Sequence, residues 1–394
     1  MVTEESPPHG NLPQRDAAVR LLVECARHSE AFDPEHAAAL LGQTTASEVL
    51  RAATYHALGG LGYVRLRNVA MPGELVDALR TKYEQAIHHH LGIMWALARV
   101  RSALDETGSP WAVVKGPMVA ELLYDDPGER TYGDLDVLVE ASGFDRALDG
   151  LRGHGARLLD RNWRVLRRDM RGEVHLELPS GSLLDLHWHL VNMYRGRICI
   201  DTAAMLSRVE KVDLKGVTAP TLDATDSLIH LALHGTLSGG DRLLWTSDVA
   251  RGTWRRPPDW DELVFRAEAW KIGPPVGLML RRAREVLNAD IPSEVPEKLL
   301  GRSYGKLARV VEWASPWERA GGRLTTPALV LTRSMGFGLA GAGRWFIWRA
   351  IRNLDPREPR ASSSFTPGGD ASDYSAYVRA VVASSRPARP RPRA

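Results

Sequence analysis

Thr131-Tyr132-Gly133-Asp134-Leu135-Asp136-Val137-Leu138-Val139 is the stretch on which the reading of this chain turns. In an extended strand, residues two apart share a face. Asp134 and Asp136 therefore point one way, while Leu135 and Val137 enter the apolar side. Two neighbouring carboxylates repel each other, and keeping both ionised calls for a cation. A hard divalent ion answers that need, because Mg²⁺ (or Mn²⁺) takes oxygen ligands and binds one or two carboxylates together with substrate phosphates. Asp-x-Asp alone occurs in many loops; an Asp-hydrophobic-Asp run leading into a buried strand is more selective.

The flanking sequence supplies what such a pair requires. Downstream, Leu183-Leu184-Asp185-Leu186-His187-Trp188-His189 alternates, with Leu184, Leu186 and Trp188 on one face and Asp185, His187 and His189 on the other. Val174 to Leu178 precedes it across Pro179-Ser180-Gly181-Ser182, which is turn chemistry, so a hairpin is predicted. A third carboxylate on a strand beside the first pair completes a metal site and stands ready to help deprotonate an attacking hydroxyl. Upstream, the apolar run Trp111 to Val114 gives way at Lys115-Gly116-Pro117 to a helix reaching Tyr124. A helix start presents backbone N–H groups and a positive dipole end, suited to phosphate, and Lys115 adds a point charge.

The remaining pattern is helical on both sides of this sheet. Asp33-Pro34 reads as an N-cap followed by proline at the first helical position, and Thr45-Ala46-Ser47-Glu48 as a capping box whose helix stops at Gly59-Gly60. A long helix is predicted from Gly73 to Leu104. It carries His88-His89-His90, which point three ways and are read as a solvated face. Asp223 or Asp226 caps a further helix through Gly235. The expected fold class is α+β: a helical segment over 1–108, a small mixed sheet with helices over 109–215, a helical domain over 216–355, and a mostly disordered Pro/Ser/Gly/Arg tail over 356–394 with one helical turn near Tyr374 to Val381.

Composition narrows the class. The chain has 394 residues, 44% hydrophobic and 25% charged, as in an ordinary globular protein. Its 51 basic residues nearly balance 48 acidic ones, which argues against a dedicated nucleic-acid binder. Cys25 and Cys199 lie far apart and fit no metal spacing, so no disulfide framework is expected and a reducing cytoplasm suits the chain. Residues 1–10 contain no apolar h-region, so no signal peptide is expected. The most apolar late run, Ala328 to Ile347, is interrupted by Arg333 and Arg344 and is too short between charges to span a bilayer.

Taken in order, Lys115-Gly116, Leu122-Leu123-Tyr124, Pro127-Gly128-Glu129-Arg130, Asp134 to Val139, and Asp185-Leu186-His187-Trp188 resemble the uncharacterised nucleotidyltransferase family of the DNA polymerase beta-like superfamily. Ser227 to Gly235 and Leu243 to Ala250 resemble the family's downstream His-rich helix and Trp-x-x-Asp helix. The resemblance implies a nucleotidyltransferase-like sheet and Mg²⁺-dependent transfer of a nucleotidyl group from a nucleoside triphosphate. The acceptor is unidentified, with a small molecule or peptide favoured over nucleic acid. Asp134, Asp136 and Asp185 would hold the metal and Lys115, Gly116 and Arg130 would face phosphates; His187 is a candidate to contact phosphate or support the metal ligands, and His230 and His234 with Asp248 are candidates for a metal site or a substrate contact. His230 and His234, four apart, share a helix face and read as a buried hydrogen-bonded pair with one member near the cleft. Alternatives are transfer of another activated group, such as a sugar from a nucleotide sugar, or a noncatalytic binding or maturation partner. This sequence departs from the commonest superfamily pattern in two places: Pro117 follows Gly116 where a small residue is usual, and the gap from Gly116 to Asp134 is longer.

Overall fold

The computed structural model describes residues 17–191, 198, 200–314, 364, 365 and 367–384. Cys199, the apolar run Ala328 to Ile347 and the Pro-Arg alternation after Arg386 lie outside the described residues. Among those described, seven strands form one sheet. They are β1 (Trp111–Val113), β2 (Asp134–Val139), β3 (Arg157–Leu158), β4 (Glu173–Glu177), β5 (Leu183–His187), β6 (Glu210–Leu214) and β7 (Val217–Thr221), in the order β3-β4-β5-β2-β1-β7-β6. Strand β2 runs parallel to β5 and antiparallel to β1, and β4 runs antiparallel to β5. With helices before and after it, the sheet gives the expected α+β class.

Period-two alternation sets the two faces of this sheet. Leu135, Val137, Val174, Leu176, Leu184 and Leu186 are all buried on the apolar face. Helix Gly73–Thr107 packs on β2 and on helix Phe144–Gly153. The predicted strands at 111–114, 135–139, 174–178 and 183–189 are present within two residues at each end. The β6–β7 hairpin is a strand pair that the pattern did not disclose. Its first strand is mostly exposed and charged, so no apolar stripe marks it, and it turns at Lys215 (φ 47°) and Gly216 (φ 99°). The division expected at 215/216 falls inside that turn, and β7 joins the sheet through its parallel pairing with β1.

Local signals in the N-terminal part correspond closely to what forms. Asp33 caps helix Pro34–Leu41 by accepting from the N–H groups of Glu35 and His36, and Thr45 with Glu48 closes a capping box on helix Ala46–His56. That helix stops at Ala57 in the left-handed conformation, and Gly59-Gly60 opens the next helix instead of ending this one. Gly60 is there for proximity: a Cβ on it would lie 1.9 Å from the carbonyl oxygen of Gly128, so the helical segment seats directly on the loop that leads to β2.

Within the tail, the helical turn expected near Tyr374 is a 14-residue helix, Ala371–Ser384. Disorder does not hold over this stretch, because Tyr377 and Val381 are fully buried. The Tyr377 hydroxyl donates to the Arg171 carbonyl at 2.9 Å and accepts from Trp188 Nε1 at 3.0 Å. Composition registered the Ser, Pro and Gly content before residue 371 but not the spacing of these two side chains, which places both on one helix face.

Candidate active site

Strand register assembles the site. Asp136 on β2 lies opposite Asp185 on β5, Asp185 lies opposite His175 on β4, and His187 lies opposite Glu173. Asp134, Asp136, Asp185, His187, Glu173 and His175 therefore share the polar face of three neighbouring strands. Asp136 and His187 are its buried floor, while Asp134, Asp185, Glu173 and His175 are half-buried around them. The backbone N–H of Val114 donates to the Asp136 carbonyl, and this continuation of the β1–β2 pairing carries Lys115 over the floor. Lys115 Nζ lies 2.9 Å from Asp136 Oδ1, and His187 Nε2 donates to the same oxygen at 3.0 Å. The other His187 nitrogen, Nδ1, faces Glu173 Oε2 at 3.2 Å.

Charge is distributed unequally over these carboxylates. Burial pushes the Asp136 carboxyl up, but Lys115 and His187 outweigh it and hold the group well below the usual carboxylate range. Asp134 is raised, by burial and then by the charge of Asp136. Asp185 is pushed up to about 7 by burial, with Asp136 and Asp134 adding to it against His175 and His187. Burial works against protonated His187, yet its bond to Asp136 and the charge of Glu173 raise it. His175 reaches about 9 against its burial: Asp160 accepts from its Nδ1 at 2.8 Å, and Asp185 and Glu173 lie near Nε2 at 3.8 and 3.9 Å. The repulsion expected between Asp134 and Asp136 thus falls on Asp134 and Asp185, whereas Asp136 is the best neutralised group of the three.

Among the described residues, two sets of side chains bring possible metal-donor atoms within 4.8 Å of one another: Asp136, Asp185 and His187, and Glu173, His175 and Asp185. Asp185 belongs to both. Asp134 belongs to neither and stands at the rim of the first. Glu173 and His175 were missed from sequence, although Glu173-Val174-His175-Leu176-Glu177 alternates as cleanly as β5. The short turn at 179–182 fixes the hairpin register, and that register alone places their polar faces beside Asp185 and His187.

Gly116 is required where it stands. Its φ is +61° with ψ −119°, and a Cβ there would meet the Asp134 carbonyl oxygen at 2.8 Å. The helix it caps, Pro117–Leu123, has only seven residues and begins with a proline that offers no N–H, so the phosphate-facing helix start expected from sequence is weakly provided.

Arg130 and Asp248, expected as separate ligand-contacting groups, are each other's partners. The guanidinium grips both carboxylate oxygens at 2.9 Å and donates to the Gly116 carbonyl at 3.3 Å. Tyr124 donates to the same aspartate at 2.7 Å, and all three side chains are buried. Arg130 therefore braces the Gly116 turn. His234, half-buried on helix Ala224–Leu237, has its Nδ1 3.5 Å from Lys115 Nζ, and His230 is buried one turn before it with its ring centroid 6.3 Å away. Among the described residues the two are not hydrogen-bonded to each other as expected, and His234 is the one that meets Lys115. The His88-His89-His90 run is corrected at two positions: His89 is half-buried with its ring edge-on to Tyr132 at 5.2 Å, and His90 is buried, with Nδ1 against the Tyr132 hydroxyl at 2.8 Å and Nε2 against Glu121 at 2.7 Å.

No helix among the described residues is long and apolar enough to cross a membrane. No curated protein matches the chain. A family model does match, over residues 42–288, which is more than half of the sequence and contains every strand and every site residue described above. The chain belongs to the uncharacterised nucleotidyltransferase family.

Proposed function

We propose that the protein transfers a nucleotidyl group from a nucleoside triphosphate to an acceptor hydroxyl or phosphate, with Mg²⁺ or Mn²⁺ as cofactor. The observation that carries this reading is the register of β2 against β5, which sets Asp136 directly beside Asp185 under Lys115 in a chain of a nucleotidyltransferase family.

The residues present fit a divalent cation. Asp134, Asp136, Asp185, Glu173 and Asp160 supply five carboxylates to this face, against Lys115, His175 and His187. Even with both imidazoles charged, acid is in excess. Asp136 and Asp185, with His187 beside them, would hold the ion, and Asp134 would join them from two residues earlier on β2. When bound it supplies charge neutralisation at the donor phosphates and the leaving pyrophosphate.

The chain's own groups divide the remaining work. Lys115 offers its ammonium to the donor phosphates at the mouth of the floor. Asp185, directly opposite Asp136, would stand where it can take the acceptor's proton. His187 orients Asp136, and Arg130, locked to Asp248, holds the Gly116 turn against the start of β2. These positions are fixed by strands and buried pairs, so little reorganisation is left for the reaction itself.

The test is to incubate the purified protein with each ribonucleoside triphosphate, Mg²⁺ or Mn²⁺, and a cell extract, and to weigh the products. One nucleotide monophosphate unit should be added to an acceptor, and Asp136→Asn should abolish it. Addition of a sugar from a nucleotide sugar, or a product undiminished in the Asn variant, would contradict the reading.

A further inference from the structure

Asp136 Oδ1 already serves two internal cations, Lys115 at 2.9 Å and His187 at 3.0 Å. The two differ in freedom. His187 is buried and held at its second nitrogen by Glu173. Lys115 lies on the short connection between β1 and Gly116, on a flexible four-carbon stem, and 14% of its side chain is exposed to solvent.

Lys115 also has somewhere else to go. His234 Nδ1 is 3.5 Å from its ammonium. His230, one helical turn away, keeps a buried Nδ1 that lacks a hydrogen-bond partner among the described residues. Burial first, and then the Lys115 charge, keep both imidazoles neutral, so each retains a nitrogen able to accept a bond from an ammonium. An ammonium and a divalent ion cannot both sit on one carboxylate oxygen without strong mutual repulsion in so poorly solvated a place.

We propose that Lys115 is an internal counter-cation which keeps a divalent ion off Asp136 until the phosphates of a bound nucleotide draw the ammonium away, so that metal and nucleotide enter together. The trigger rests on the nucleotidyl-transfer reading. The competition between Lys115 and the ion does not. Because binding linkage is reciprocal, nucleotide must tighten metal by the same factor that metal tightens nucleotide.

Titration of the full-length chain with Mn²⁺, followed by electron paramagnetic resonance of the free ion, tests this without turnover. In the absence of nucleotide, Lys115→Met should bind Mn²⁺ at least tenfold more tightly than wild type. Lys115→Arg, which keeps the charge, should not. Adding Asp136→Asn to Lys115→Met should remove the gain. The α,β-methylene analogue of the donor nucleotide, found by trying the four ribonucleotides in turn, should tighten Mn²⁺ at least tenfold in wild type and much less in Lys115→Met. Should the Met variant fail to fold by circular dichroism, Lys115→Gln takes its place with the same expectation. A Met or Gln variant that binds Mn²⁺ no better than wild type, or a gain that survives loss of Asp136, would overturn the proposal. Metal results as expected in a protein that transfers no nucleotide would sink the functional reading while leaving the Lys115 competition in place.

Discussion

Two buried aspartates in this molecule each hold a cation, and they are built to opposite ends. Asp248 receives Arg130 through two parallel bonds of 2.9 Å, with Tyr124 filling one oxygen further and the guanidinium's remaining reach spent on the Gly116 carbonyl. That fork is geometrically complete, and nothing in it faces the cleft. Asp136 receives Lys115 and His187 on a single oxygen, with a point-charge ammonium that binds as well from many directions. The first arrangement can only be kept or broken. The second can be exchanged. The difference separates a brace from a working group more clearly than burial does, since both aspartates are almost inaccessible.

The largest expected effect of disturbing this contrast is at the brace. Arg130→Met leaves Asp248 buried and uncompensated, and should cost about 3–5 kcal/mol of stability in chemical denaturation. Arg130→Lys should recover little of it, because an ammonium cannot reproduce the fork. A loss below about 1 kcal/mol in the Met variant would mean that the pair is not what holds the Gly116 turn.

Next is Asp136→Asn. Relief of repulsion between Asp134 and Asp136 would suggest a neutral or stabilising change. The geometry predicts the reverse, because the carboxylate is more attracted than repelled and Asn leaves Lys115 and His187 without their shared counter-charge. We expect a loss of about 1–3 kcal/mol without ligand, smaller than at the brace because Lys115 can turn to water. A rise in Tm would show that repulsion dominates after all.

Acid should reach neither pair first. His56, whose Nδ1 accepts from the Leu243 N–H at 3.2 Å, is held down to about 4 mainly by burial, and His230 to about 3 by burial and then Lys115. Both are neutral in the folded chain, while the unfolded chain protonates them near pH 6.5, so the unfolded state binds more protons below that value. Stability should therefore fall by roughly 1.4 kcal/mol per pH unit per histidine from about 6.5 down to those folded values. The Asp136 pairing, whose folded value lies below the usual carboxylate range, is lost only at lower pH. Denaturation from pH 7 to 5 on wild type and His56→Gln should show a shallower slope in the variant; identical slopes would remove His56 from this account.

A gain in stability, not a loss, is expected at Asp185. Its carboxyl is pushed up to about 7, so at pH 8 its ionisation opposes folding. Asp185→Asn removes that opposition and should stabilise the chain, more at pH 8 than at pH 5, while transfer falls by about 10²-fold or more if this group takes the acceptor's proton. A variant that is inactive and also strongly destabilised would make Asp185 structural.

What the sequence disclosed and what it hid follow from how far each signal reaches. Alternation at 134–139 and 183–189 exposed the shared face of Asp134, Asp136 and Asp185 because the strand period is local. Turn residues gave the β4–β5 hairpin, and Asp33 and Thr45 gave their helix starts. Glu173 and His175 stayed hidden because their place depends on register between strands and not on pattern within one. Arg130 and Asp248 lie 118 residues apart, and nothing in either segment marks them as partners. The β6–β7 hairpin was lost because its exposed strand carries no apolar stripe. The acid strengths ran opposite to expectation at Asp136 because counting neighbouring carboxylates leaves out Lys115 and His187, which only the folded chain brings there.

The most direct measurement of the central claim is the fate of the phosphorus atoms. With the donor ribonucleotide labelled at either the α or the γ phosphate, and with Mg²⁺ and an acceptor-containing extract, the α label should pass to the acceptor and the γ label should leave in pyrophosphate, both lost in Asp136→Asn. Transfer of the γ label to the acceptor, or equal α transfer by wild type and Asp136→Asn, would contradict the account.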